Sequence, residues 1–132
     1  MKHHLVSRIA IWVLAIVMIV FGIQHFRHPK EMLVFVPPYI PGGITWVYFV
    51  GAAFILAGLA FIINRFVSLA GYLLAALLFI FVVTIHWPNY RQGGTKEMRQ
   101  IALVNLLKDT ALAAFAVYVA VNAKHQRLNT DE

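Results

Sequence analysis

Asn105, Lys108 and Asp109 stand inside a stretch, Ile101 to Val121, that is otherwise apolar enough to cross a membrane. An ionisable side chain in hydrocarbon costs roughly 2.5 to 3.5 kcal/mol on insertion scales, and is tolerated where it is paired or faces a protein interior. A spacing of four residues puts Asn105 and Asp109 on one helical face, with Lys108 at its edge. An amide, an ammonium and a carboxylate grouped in this way can hold the polar end of a ligand, relay a proton or stabilise developing negative charge. They can equally form a structural clasp between helices. Two histidines, His25 and His86, close two other apolar stretches, with Gln24 and Asn89 beside them. Histidine also sits at span ends simply because the head-group zone suits it. Two imidazoles and a carboxylate suit Zn, Cu, Fe or Ni, but no dense motif such as H-x-x-x-H occurs, and no metal site is assigned. His3, His4 and His125 read as solvated terminal residues.

The composition says what must position these groups. Of 132 residues, 61% are hydrophobic and only 12% charged, with a mean hydropathy of +0.78. A soluble domain would be about 45 to 50% apolar and about 25% charged. The excess belongs to a chain whose solvent is lipid. Cysteine is absent, which excludes disulfides, thiol catalysis, thiolate metal sites and cysteine-ligated Fe–S clusters. A redox role would therefore need a bound cofactor or a partner's cysteines. The formal charge of +6 is scattered over short loops and tails. Nucleic-acid binding would want a basic stripe, so anionic lipid head groups are the simpler partner and no nucleic acid is expected.

Four spans are expected, at about Leu5 to Gln24, Thr45 to Ile63, Phe66 to Ile85 and Ile101 to Val121. Each approaches the ~20 residues that cross ~30 Å of hydrocarbon as a helix. Lys2 and Arg8 precede the first span as they would in a signal peptide. Its apolar run is too long for one, and no A-x-A-like site follows, so it reads as an uncleaved span. The expectation is one all-α domain, residues 1–132, forming a polytopic membrane bundle of four transmembrane helices.

An even number of spans places both termini on one side, with Lys2, Arg8, Arg65, Lys124 and Arg127. Arg27, Lys30, Arg91, Lys96 and Arg99 fall on the other, and five against five leaves charge without an orientation. His25, His86 and Asn105 then share the leaflet facing the larger loops. With Asp109, Gln24 and Asn89 they outline a polar pocket open toward that side. Trp46, Trp87, Tyr39 and Tyr90 lie there too, as an interfacial aromatic belt would. Lys30 to Val36 can form an interfacial amphipathic turn or two, and Pro37, Pro38, Pro41, Gly42 and Gly43 then force a compact reversal. Asn64 and Arg65 leave room only for an antiparallel hairpin. Gly51 and Gly58, Ala53 and Ala57, Gly71 and Ala75, and Ala116 and Ala120 mark faces where backbones approach closely. Phe21, Phe49, Phe54, Phe61, Phe79, Phe81 and Phe115 read as lipid-facing or packing residues.

Several of these segments resemble the DoxX-like family of small bacterial membrane proteins. They are Gly22-Ile23-Gln24-His25-Phe26, then Pro37-Pro38-Tyr39-Ile40-Pro41 before a span with Gly51 and Gly58, then His86-Trp87-Pro88-Asn89 and Leu107-Lys108-Asp109. The resemblance covers nearly the whole chain. It implies a four-helix bundle in the bacterial inner membrane with both termini cytoplasmic, and association with redox systems. Relatives include a quinone-reducing thiosulfate oxidoreductase subunit and a protein needed for methylamine dehydrogenase maturation. More distantly, the bundle looks like the membrane part of vitamin K-dependent carboxylases. The family carries no agreed catalytic residues, and an acidic residue common in the second span of relatives, near Phe54, is absent here.

The leading expectation is a small redox-pathway subunit that binds a quinone-like or other lipophilic ligand. His25, His86, Asn89, Asn105, Lys108 and Asp109 are the ligand-binding or proton-relay candidates. Either histidine would hydrogen-bond a carbonyl oxygen, Asp109 would relay a proton, and Lys108 would stabilise negative charge on the ring. If the protein is a catalyst, it would be a quinone-linked oxidoreductase subunit; the partners would be membrane lipids and redox proteins. Two alternatives stay open: a scaffold or assembly factor without chemistry, and a small transporter built as a homo-oligomer.

Overall fold

The computed structural model describes residues 2–33, 36, 41–92 and 94–123. Six α-helices follow in order: α1 (Lys2–Arg27), α2 (Pro29–Leu33), α3 (Gly43–Ile63), α4 (Val67–Phe81), α5 (Trp87–Gln92) and α6 (Lys96–Val121). A π-helical turn, Val82–His86, joins α4 to α5 without a break. Among the described residues there is no strand. Leu5–Arg27, Gly43–Ile63, Val67–Gln92 and Lys96–Val121 are each long and apolar enough to cross a membrane. The chain is an all-α, multi-pass membrane protein, a bundle of four long helices.

Lipid offers no hydrophobic drive for helix association, so close backbone approach and van der Waals contact must hold the bundle. The small residues do this in two separate pairs. Helix α1 runs antiparallel along α3, and α4 along α6, while the α3–α4 hairpin is the main link between the pairs. A Cβ added at Gly58 would meet the Ala15 carbonyl oxygen at 2.7 Å, and one at Gly71 the Ala116 carbonyl oxygen at 2.8 Å. Both obstacles are backbone, which cannot swing aside. Gly58→Val is therefore expected to cost about 1 to 3 kcal/mol by overpacking, read as a lower melting temperature in detergent. Gly58→Ala should fall between it and the parent.

The buried core fills the half of the bundle nearest the termini. Met18, Phe61 and Val119 are its largest fully enclosed side chains, with Ile11, Leu14, Leu74 and Ala116 around them. Arg8, expected among the loop charges, is only 2% exposed. Its Nη1 donates to Asn64 Oδ1 at 3.0 Å and its Nη2 to the Phe61 carbonyl at 3.4 Å. Asn64 ends α3 in the left-handed region (φ 59°), where the last carbonyls lack intrahelical donors and the helix dipole favours a cation. Arg8 thus caps α3 and ties α1 to it.

The third and fourth spans differ from their expected limits for local reasons. The third was expected to end at Ile85 with His86 closing it, yet the helix runs on to Gln92, seven residues or about 10 Å further. A proline has no N–H, and its ring collides with the carbonyl four residues back. Widening the preceding turn to a π turn, with Trp87 N–H bonded to the Val82 carbonyl, lets the helix pass the proline. The fourth helix starts at Lys96 because Thr95 caps it, its hydroxyl accepting from Met98 N at 3.1 Å, with Glu97 in the first turn. On the loop side α2 forms as a short helix, and Gly42 (φ 84°) makes the turn into α3. Pro37, Pro38 and Tyr39 of the expected reversal, the side chains of His3 and His4, and Lys124, His125 and Arg127 lie outside the described residues.

Candidate functional site

Because the core closes only the termini-side half, the two helix pairs leave a cavity of about 510 Å³ between them toward the loops. His25, His86, Asn105, Lys108 and Asp109 all line it. Three elements of the fold supply them: the last turn of α1, the π turn, and two successive turns of α6. Asn89 and Gln24 do not line it; Asn89 points outward from α5 as an exposed residue. Asn89 was expected in the pocket because His86 was placed at the end of its span. With the helix continuing, Asn89 rides beyond the cavity instead.

Its polar end is organised around Asp109. His86 and Asp109 are 7% and 4% exposed, and His86 Nε2 lies 2.7 Å from Asp109 Oδ2. Lys108 Nζ stands 3.4 Å from Asp109 Oδ1 and 4.8 Å from the centre of the Phe21 ring. One carboxylate is thus shared by a buried imidazole and a half-exposed ammonium, and the ammonium also rests on an aromatic face. Asn105, one turn along the same face, makes no side-chain hydrogen bond among the described residues. On the other helix pair, His25 Nδ1 lies 2.6 Å from the carbonyl oxygen of Phe21. Among the described residues no group of three His, Cys, Asp or Glu side chains converges as a metal site requires.

The wall between these polar groups is aromatic. The Phe54 ring packs edge-on against His25 (5.4 Å between centroids) and Phe81 (6.2 Å), and stands 6.5 Å from Phe21. Tilted and edge-to-face contacts of this kind leave ring faces to receive another planar ring. Phe49 and Ile80 also line the cavity, yet they are 58% and 52% exposed on the outside of the bundle. The mouth therefore opens between α3 and α4 onto lipid. On the loop side Met32 of α2 and Val36 contribute to the lining, and Leu33 packs on Gly43.

Phe21, Phe49, Phe54 and Phe81 read as packing or lipid-facing residues in the sequence; they are the cavity wall. Phenylalanine alone carries no signal for this, because wall and packing positions have the same helical spacing. The π turn was missed as well; Pro88, three residues past the end of the apolar run, was its one signal. Restoring an N–H with Pro88→Ala is expected to let Val82–His86 close as ordinary α-helix. Removing one residue's worth of π turn rotates the register by about 100°. His86 then leaves Asp109, and retention of a cavity ligand falls at least about tenfold, while the helix itself is no less stable. The imidazole nitrogen resonances of His86 and a ligand titration would check this together.

Residues 14–124, most of the chain, match the model of a protein family described as a domain of unknown function, DUF8561. The chain belongs to the DUF8561 family. The matched region holds α3 to α6, the cavity and every residue of its polar end. No curated protein and no solved structure matches the chain.

Proposed function

We propose that this protein is a small redox-associated membrane subunit whose cavity binds a quinone-like or similarly lipophilic ring compound drawn from the bilayer. One observation carries the reading: a cavity walled by aromatic rings and edged by Phe49 and Ile80, which are exposed on the outside of the bundle, with a buried His86–Asp109 pair and Lys108 at one end. An apolar site with a few convergent polar groups is the usual form of a small-molecule site. An acyl chain would use the walls but leave the polar end without a partner. A ring with polar substituents would use both. Residues in such a site hold the ring by stacking, orient its polar groups at His86, His25 and Asn105, and offer a proton acceptor at the dyad. The resemblance to DoxX-like proteins agrees with a redox association, a bacterial inner membrane and cytoplasmic termini.

The test is extraction and rebinding. Protein purified in mild detergent should release a ring-bearing lipophile into organic solvent, and stripped protein should rebind a short-tailed quinone or hydroquinone. His86→Ala and Asp109→Asn should weaken binding or alter its selectivity. A stripped protein that binds no ring compound would overturn the reading. A second reading, a non-catalytic scaffold, draws on the shallow loop-side cleft framed by Tyr90, Arg91, Lys96 and Arg99. Under that reading, substitutions around Tyr90 disturb a partner, whereas cavity substitutions change only stability.

A further inference from the structure

The two histidines that line the cavity each have one ring nitrogen committed to the protein, and the chemistry of each partner assigns the tautomer. A backbone carbonyl can only accept, so His25 Nδ1, 2.6 Å from the Phe21 oxygen, carries a proton and donates it. An ionised carboxylate can only accept, and Asp109, with Lys108 Nζ 3.4 Å from its other oxygen, receives the proton of His86 Nε2. Lys108 already balances the Asp109 charge, so His86 is taken as neutral, and a neutral imidazole has one N–H. His25 is left with a bare Nε2 and His86 with a bare Nδ1, and neither nitrogen has another partner among the described residues. The two stand on different helix pairs, α1/α3 and α4/α6, which flank the cavity.

From this we infer that the cavity selects a hydroxyl-bearing aromatic lipophile, the hydroquinone form of a quinone-type ring, over the oxidised carbonyl form. The inference rests on the reading that the cavity takes a ring-bearing lipophile, and names which form of it is recognised. A carbonyl oxygen set against a bare imidazole nitrogen brings two lone pairs together with no proton between them. A hydroxyl supplies that proton. A site built to pair with a hydroxyl discriminates against the analogue lacking it, because its own polar groups are left unmade. The hydroxyl oxygens keep lone pairs, which Lys108 and Asn105 can meet as donors. This reverses the direction of the hydrogen bond expected from the sequence, where a histidine donates to a carbonyl. Asp109 acts here as a positioning residue: it need not touch the ligand, but it dictates which nitrogen of His86 is bare.

The test uses stripped full-length protein in nanodiscs under anaerobic conditions and three probes with the same decyl tail. They are a para-hydroquinone, the matching para-quinone, and the hydroquinone's dimethyl ether, which keeps the oxygens but loses both donors. The expected result is that the hydroquinone binds at least about tenfold more tightly than either of the others. In Asp109→Asn the amide can donate to Nε2 and release the tautomer, so the preference should fall below about threefold. His25→Phe, which keeps an aromatic ring and removes one acceptor, should lower it partway and serves if the Asp109 variant does not fold. A quinone or dimethyl ether that binds as tightly as the hydroquinone would overturn this inference while leaving the ring-binding reading intact. Failure of all three probes to bind would overturn both.

Discussion

Asp109→Ala is expected to destabilise the bundle by about 3 kcal/mol and to abolish ligand binding. Asp109 is the shared acceptor of His86 and Lys108. Removing one member of a buried hydrogen-bonded pair strands the other, a loss typically of about 3 to 5 kcal/mol. The lower figure applies here because Lys108 is half-exposed and also rests on Phe21, so only His86 is left buried without its partner. Asp109→Asn preserves size and a hydrogen bond, and should cost only about 1 kcal/mol. Thermal or denaturant melting of the two variants in the same detergent separates these values. Equal, small losses for both would mean that the pair is not buried against a dry interior.

Val50→Trp is the second large effect. Val50 lies on α3 with its side chain buried at the cavity wall. In a packed interior an indole in place of an isopropyl group costs about 1 to 3 kcal/mol through off-rotamer strain. Here the added volume has somewhere to go, so the melting temperature should hold or rise. Binding of a ring compound should drop by more than about a hundredfold, equivalent to about 2.8 kcal/mol, because the same space cannot be filled twice. A stable variant with unchanged affinity would place the ligand elsewhere, and a variant that fails to fold would mean that the cavity does not exist.

Much of the architecture was legible because lipid imposes a coarse and strong rule. Each of the four spans announces itself as some twenty apolar residues, and the connections at Asn64-Arg65 and around Pro41–Gly43 are marked by chain reversal signals. The polar trio of the last span was legible for a related reason: Asn105, Lys108 and Asp109 are costly in hydrocarbon and stand out. Helical phase then joined Asn105 to Asp109, and span direction joined both to His25 and His86. The particular partners were not legible. His86 meets Asp109 because Pro88 forces a π turn, a change of register worth about one residue that an average periodicity cannot show. Asn89 was misplaced by the same turn. Arg8 looked like a loop charge because its partners, the Phe61 carbonyl and the Asn64 side chain, lie on another helix. The void between the helix pairs has no sequence signature, since the phenylalanines that wall it are also ordinary packing residues.

The most direct test of a ligand-holding cavity is an experimental structure of the protein extracted in its native lipid. It should show density for a planar ring against Phe54, with polar substituents within about 3 Å of His86 and His25, the distance of a hydrogen bond. A cavity collapsed by repacked side chains, or one holding only an acyl chain with the dyad closed off behind it, would contradict the account.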